Sequence, residues 1–415
     1  MIVNKAYKFR LKLGSRQEHQ LSQYAGSCRF IWNKLLGMQK DRMQWGEWTL
    51  NDDQMCEVIT AWKAYRYPWL TKPPSQALQQ TARDLHKAME NAFDAKRPQA
   101  FPAFKKKGRS TDSFRVPQGF KWDKENTRVF IPKLGWLQYF SHSDRQKLMG
   151  EPGQVTISRE GPHWNVSIQA EFEVEPEPVH PNRTAIGIDM GVINFACLSD
   201  GTVLEPLNSF KRQEKRLATE QRNLSRKCKF SSNWRKQATR VSGINRTIGR
   251  CRHDYTNKAS TTVSHNHAYL VMEDLKIVNM AASAAGTAEE PGRNVAAKSG
   301  LNKAILDQGW GDFRRKATYK EKWRGGQVIL VPPHGTSQEC PECGHRDPGN
   351  RKSRDIFCCL SCGYTAPADL VGSIIILRRG TPHLPVEGEV MNPRKQEPNR
   401  HEAATLCLGA GILGL

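Results

Sequence analysis

Two cysteine pairs near the C-terminus, Cys340-Pro-Glu-Cys343 and Cys359-Leu-Ser-Cys362, stand fifteen residues apart. Four thiolates at this spacing suit one tetrahedral Zn²⁺, as in a zinc ribbon, where the metal folds a segment too short to bury a core of its own. A pair of disulfides is the alternative. The remaining cysteines argue against it, because Cys28, Cys56, Cys197, Cys228, Cys251 and Cys407 are scattered without framework spacing. Cys358 precedes Cys359, but only Cys359 keeps the two-residue interval to Cys362, so Cys358 is read as a non-ligand.

Seven residues beyond the last cysteine comes Asp369, leading into Ile374-Ile375-Ile376-Leu377, while Asp189 ends Thr184-Ala-Ile-Gly-Ile-Asp189 and Glu273 ends Tyr269-Leu-Val-Met-Glu273. Three carboxylates brought together would repel one another and stay partly protonated; two Mg²⁺ ions would offset the repulsion and leave them ionised. Such a site hydrolyses phosphodiesters, one metal activating the water and the other stabilising the departing oxygen, ~4 Å apart. Each acid also has a plainer use alone, as a turn residue, a solvated strand end or a helix cap. Asp274 follows Glu273, and strand alternation sends it to the opposite face.

The elements that would position these groups belong to a strongly basic chain. Lys and Arg number 63 against 41 Asp and Glu, a net +22 over 415 residues, which attracts polyanions. A membrane partner is disfavoured, since no basic amphipathic helix has a clean apolar face and no apolar run approaches the ~20 residues needed to span a bilayer. The N-terminus has no apolar signal region, and the free cysteines fit a reducing cytosol.

From Tyr7 to Leu13 apolar and basic residues alternate, predicting a half-buried strand with a cationic face. Residues 15–95 carry apolar residues at helical spacing, as in Ala77, Leu78, Thr81, Ala82, Leu85 and Met89, and predict a helical bundle broken at Pro68 and Pro73-Pro74. The segment Phe101-Pro-Ala-Phe104-Lys105-Lys106-Lys107-Gly108-Arg109 reads as a loop contacting backbone phosphates, or as a merely solvated basic loop. Alternation on both sides of Gly161-Pro162 predicts a hairpin, so the first strand and residues 96–178 form one β-barrel-like domain with the bundle inserted. The acidic, proline-rich stretch 173–181 reads as an extended linker.

Beyond it, strands ending at Asp189 and Leu198 with a turn at Asp200-Gly201 open a second domain as a hairpin. Residues 211–258 hold fifteen Lys or Arg against three Asp or Glu and predict two long basic helices facing nucleic acid. Residues 281–300, rich in Ala, Gly, Ser and Glu, read as a mobile loop; 301–323 as one amphipathic helix; 327–331 as a strand; and the tail after Gly380 as disordered.

The motifs Gly187-Ile-Asp189-Met-Gly191, Val271-Met-Glu273-Asp274-Leu275, Gly309-Trp310-Gly311-Asp-Phe313-Arg, Thr336-Ser337-Gln338-Glu-Cys340-Pro-Glu-Cys343-Gly344 and Ala368-Asp369 occur in the order seen in the transposon-encoded TnpB proteins. The chain resembles that family over roughly residues 1–380, including the Phe-Pro-x-Phe-Lys-Lys-Lys segment and Lys133-Leu-Gly135-Trp136. The resemblance implies a multidomain α+β protein: a wedge β-barrel (1–14 and 96–180) with an inserted helical recognition domain (15–95), and an RNase H-like (RuvC) α/β core (181–334 and 364–380). A zinc-ribbon insert (335–363) would split that core, and a disordered tail (381–415) would follow it.

The activity implied is RNA-guided endonuclease cleavage of double-stranded target DNA beside a short adjacent motif, in a prokaryotic cytoplasm at the nucleoid. The guide RNA would derive from the transposon end. Asp189, Glu273 and Asp369 would be the magnesium-binding catalytic residues, and base pairing would read sequence while protein reads the adjacent motif. Gln79 matches a family position near that motif, and its amide could pair with an adenine edge. One departure stands out. Family members usually continue Asp-x-Asn-Ala-Ala-x-Asn from the last aspartate, whereas here Val371 and Ile375 replace both asparagines. A guide-dependent DNA binder with attenuated cleavage is therefore the first alternative, a transposase the second and a plain zinc-ribbon transcription factor the third, since an RNase H-like fold serves several chemistries.

Overall fold

The computed structural model describes residues 2–95, 99–108, 110–140, 148–173, 179–287 and 289–383. The chain divides between Pro176 and Glu177 into two compact units. Arg109, the centre of the acidic linker at 174–178 and the tail from 384 onward lie outside the described residues.

In the first unit, β1 (Ile2–Lys12) is followed by α1 (Ser15–Gln44), α2 (Asp52–Ala61) and α3 (Ser75–Phe93). Six strands complete it: β2 (Ser113–Val116), β3 (Lys121–Asp123), β4 (Arg128–Ile131), β5 (Gly135–Tyr139), β6 (Glu151–Glu160) and β7 (His163–Glu173). All seven strands join one antiparallel sheet of order β2-β6-β7-β1-β5-β4-β3. β1 begins five residues before the alternation predicts, at Ile2, and keeps the predicted faces: Val3, Tyr7 and Leu11 are buried, Lys8, Arg10 and Lys12 exposed. Leu21, Tyr24, Cys28, Ile31 and Leu35 recur every three or four residues along α1 and share one core with Leu78, Ala82 and Leu85 of α3 and with Val155 and Ile157 of β6. Proline ends the helical run as expected: Pro68–Thr71 is a single 3₁₀ turn, and α3 starts directly after Pro74.

The second unit opens with β8 (Ala185–Met190), β9 (Ala196–Leu198) and β10 (Val203–Leu204), followed by the basic helices α4 (Ser209–Ser225) and α5 (Ser232–Asn266). Then come β11 (Tyr269–Glu273), α6 (Ile277–Met280), α7 (Val295–Gln308), α8 (Trp310–Arg324) and β12 (Gln327–Val331). The small hairpin β13 (Ile356–Cys358) and β14 (Thr365–Pro367) precedes α9 (Ala368–Gly380). The main sheet has order β10-β9-β8-β11-β12, an antiparallel meander joined to two strands that run parallel to β8.

Strand alternation sorts the two faces of this sheet. Ile186, Ile188, Leu270 and Met272 pack with Ala259 and Val263 of α5, Ile305 of α7 and Phe313 of α8. Val271, Ile329 and Val331 pack instead with Ile376 and Leu377 of α9. The helix comes close enough that a Cβ on Gly187 would lie 2.0 Å from the Ser373 carbonyl oxygen, so only glycine fits there.

Two expectations are corrected. α7 begins at Val295, inside the segment 281–300 expected as a loop; and the single helix expected over 301–323 is two helices, separated at Gly309, whose φ of 76° ends α7. Among the described residues no helix is long and apolar enough to cross a membrane.

Candidate metal centres and nucleic-acid contacts

The two knuckles of the cysteine segment are built alike. Gly344 and Gly363, each following the second cysteine of its pair, take φ of 76° and 75° and donate N–H to Cys340 O and Cys359 O, both at 3.0 Å. The backbone thus turns twice through a left-handed residue that only glycine adopts freely. Cys340 N donates to His345 O and Cys359 N to Tyr364 O, both at 2.9 Å, closing each turn. The four Sγ atoms of Cys340, Cys343, Cys359 and Cys362 lie within 4.8 Å of one another, with Cys340–Cys362 at 3.6 Å and Cys343–Cys359 at 3.5 Å. Zn–S bonds of about 2.3 Å in a tetrahedron place sulfurs about 3.8 Å apart, so the donor set fits zinc. Burial pushes the Cys340 thiol up to about 12. Against burial, the Cys362 and Ser361 N–H groups hold Cys359 down to about 6. Cys358 lies outside the group, as its spacing predicts.

The carboxylates come from three elements. Asp189 and Glu273 lie toward the same end of the adjacent parallel strands β8 and β11, where Ile188 pairs with Met272. Asp369 lies in the first turn of α9, the helix on the Val271 face of the sheet. Burial first, then the charges of Glu273 and Asp369, push the Asp189 carboxyl up to about 7, with Arg351 pulling the other way. Burial also raises Glu273, while a hydrogen bond from Thr336 and the charge of Arg379 lower it. A carboxylate cluster in which two acids raise the proton affinity of a third, Asp189, has the donor chemistry for hard divalent cations. It is a looser group than the thiols, which alone among the described residues gather within 4.8 Å. Asp274 is engaged elsewhere, with Lys276 at 2.5 Å and Arg314 at 3.1 Å.

Four participants were not legible as such. Thr336 Oγ1 donates to Glu273 Oε1 at 2.6 Å, Asn194 Nδ2 donates to Asp369 Oδ2 at 3.4 Å, and Arg351 Nη2 lies 4.0 Å from Asp369 Oδ1. Gly372 makes room for the acid: a Cβ there would lie 2.7 Å from Asp189 Oδ2. Thr336 and Arg351 flank the first knuckle, so the cysteine segment reaches the acids from both sides of that turn. Val371 and Ile375, which stand where the family has asparagines, are fully buried with Cys340, Phe357, Cys359 and Ala366. Their side chains join α9 to the cysteine knuckles.

The predicted nucleic-acid contacts fall into two groups. Lys106 and Lys107 are exposed. Lys105 is partly buried, its Nζ 3.6 Å from the Trp32 ring centroid, and its backbone is clasped by Asn33 through bonds of 2.7 and 2.9 Å. It anchors the loop to α1, and burial lowers its pKa. Gln79 is partly exposed on α3, and its amide has no hydrogen-bond partner among the described residues.

Comparison with known proteins places this architecture. The chain of a Cas12f1–sgRNA–target DNA complex, solved by cryo-electron microscopy, superposes with a TM-score of 0.52 at 13% identity, over 90% of this chain and 98% of that one. The fold is therefore similar to that of this Cas12f1 chain. Sequence narrows it. Family profiles match residues 1–47 (a helix-turn-helix domain), 167–284 (OrfB of IS605, "Probable transposase") and 310–376 (Cas12f1-like, TNB domain). In the structure the first of these regions is a strand and one long helix. An Escherichia coli K12 protein, "Putative RNA-guided DNA endonuclease InsQ", is 47% identical over 96% of this chain and 98% of its own length. A Streptomyces pristinaespiralis protein, "Putative RNA-guided DNA endonuclease", is 29% identical over 82% of this chain and 81% of its own. The chain belongs to the TnpB family.

Proposed function

We propose that this protein is an RNA-guided DNA endonuclease that hydrolyses phosphodiester bonds at Asp189, Glu273 and Asp369. The observation that carries the reading is the convergence of these three acids from β8, β11 and α9, with Asp189 driven up to about 7 by burial and by the other two carboxylates. Family membership supplies the guide and the target, because full-length relatives carry the RNA-guided endonuclease name. The guide RNA derives from the transposon end, and the target is duplex DNA beside a short motif that Gln79 approaches.

Asp189, Glu273 and Asp369 would hold Mg²⁺, which would supply water activation and stabilisation of the leaving oxygen. The chain's own contribution is placement. Thr336 orients Glu273, Asn194 orients Asp369, and Arg351 offers a cation to the scissile phosphate beside Asp369. Zn²⁺ on the four cysteines fixes the segment that carries Thr336 and Arg351. The seven-stranded sheet of the first unit serves as the wedge barrel, its helices as the recognition domain, and the five-stranded sheet as the RuvC-like core split by the zinc segment.

Val371 and Ile375 favour cleavage over a merely binding role. Both are committed to packing against the knuckles, while the Asp369 carboxylate keeps an amide donor from Asn194. The test is purification with co-expressed RNA, sequencing of that RNA, and incubation with Mg²⁺ and a matching duplex. A discrete scaffold-plus-guide species and guide-dependent cuts are expected. Random cellular RNA sinks the guide; tight guided binding without cuts leaves the binder.

A further inference from the structure

In the first unit, β1 changes partner near its end: it pairs with β7 through Arg10 and with β5 at Leu11 and Lys12. Where the sheet parts, a cavity of about 520 Å³ opens, lined among others by Arg10, Lys12, Glu18, Phe140, Pro162 and His163. That volume suits one small planar ligand. Phe140 follows β5 and is tied by its N–H to Arg10 O at 2.8 Å, and the residue is 41% exposed. Two cations attend that ring, Arg10 at 5.3 Å and Lys12 at 4.8 Å from its centroid. Glu18 enters from α1, 3.8 Å from Arg159. A partly exposed aromatic ring with two cations over it supplies the parts that a nucleotide needs: a π surface for the base, guanidinium and ammonium for the phosphate. Glu18 adds an acceptor for an exocyclic amino group.

We propose that this cavity holds one unstacked nucleotide of a single strand, its base on Phe140 and its phosphate on Arg10 and Lys12. The assignment rests on the reading of the chain as a nucleic-acid-guided protein, and concerns a site in the first unit, whereas the acids belong to the second. RNA and single-stranded DNA share the chemistry required, so both enter the test.

The experiment is ultraviolet crosslinking of the full chain, with peptide mapping by mass spectrometry. It is run on protein carrying its co-purified RNA and, in parallel, on RNA-stripped protein with short mixed-sequence RNA or DNA oligonucleotides. A nucleotide adduct on the peptide containing Phe140 or His163 is expected. Phe140→Ala should lower its yield at least about fivefold, Phe140→Trp should restore it, and Arg10→Gln with Lys12→Gln should lower it while adducts elsewhere persist. An adduct with RNA alone assigns the cavity to RNA; adducts with both oligonucleotides assign it to single strands of either sugar. Adducts confined to other peptides, or a yield unmoved by these substitutions, overturn the proposal. Absence of co-purified RNA counts against the guide, and the oligonucleotides then decide the cavity.

Discussion

Thr336 Oγ1 donates to Glu273 Oε1 at 2.6 Å, although 63 residues separate them. The donor sits four residues before Cys340, so the cysteine segment fixes the orientation of a carboxylate at the end of β11. A hydrogen bond to a charged group contributes roughly 1.5–3 kcal/mol. Thr336→Val should therefore slow cleavage roughly 10- to 100-fold at limiting Mg²⁺ and less at saturating Mg²⁺, whereas Thr336→Ser should stay near wild type. Full activity in Thr336→Val with a loss in Thr336→Ser would show that the site needs the methyl group's packing, not the hydroxyl.

The acids also give the metal-free protein a pH-dependent stability. Asp189 binds its proton up to about pH 7 in the folded chain, against an ordinary value of 3.8. The folded state thus holds more protons than the unfolded one across that interval, and stability must fall as pH rises through it. In EDTA the melting temperature should drop between about pH 4 and about pH 7, and Mg²⁺ should restore more of it at the upper end. Asp189→Asn should flatten the slope. It should not abolish it, because burial also holds Glu321 up to about 8, which adds a slope of the same sign. A slope left unchanged by Asp189→Asn would contradict the burial of Asp189, whereas the net slope also carries His267, which burial lowers and which acts with the opposite sign.

Much of this site could be read from the chain because its parts are local. Each knuckle is a five-residue turn, C-x-x-C-G, complete in sequence; each acid closes a strand or opens a helix whose apolar run is visible. Thr336, Asn194 and Arg351 were not legible, because their roles arise from contacts spanning 63, 175 and 18 residues, where no periodicity reports. The start of α7, at 295–300, was missed for another reason, whereas 301–308 reads as helix. Its Ala and Gly content suggests a loop, but Ala is the best helix former and Ile305 joins the core under the sheet, so packing fixes the helix. Lys105 shows the same limit on the first unit, since nothing in a lysine run marks which member lies against Trp32.

Gly372 supplies a steric test of the acid cluster. A Cβ at this position would lie 2.7 Å from Asp189 Oδ2, closer than real Cβ contacts come, so Gly372→Ala must displace the carboxylate or α9. Weaker Mn²⁺ binding by calorimetry is expected, with cleavage reduced at least about tenfold, since small misplacements in an active site cost on that scale or more. Guide-RNA affinity should remain within about twofold, because the substitution changes no surface charge. Unchanged metal affinity would place Asp189 outside the metal site.

The cysteine segment offers the sharpest separation of binding from cleavage. Cys340 and Cys359 pack with Val371 and Ile375, two residues of the helix that carries Asp369, and Arg379 of the same helix donates to Glu339 at 2.8 Å. Loss of a zinc ion held there would therefore loosen α9 at Asp369 as well as the Thr336 and Arg351 contacts, all of them in the second unit. Cys359→Ser leaves three thiols for a four-coordinate ion and should lower zinc content, measured by metal analysis of the purified protein. Cleavage should then fall at least about 100-fold, since misplacement by about 1 Å costs that much, while guide-RNA binding falls far less. The first unit, with its own core of α1, α3 and seven strands, has no residue in the knuckles to lose. Should RNA binding and cleavage decline together, with the melting temperature of the whole chain, the ion serves global folding and its link to Asp369 carries no special weight.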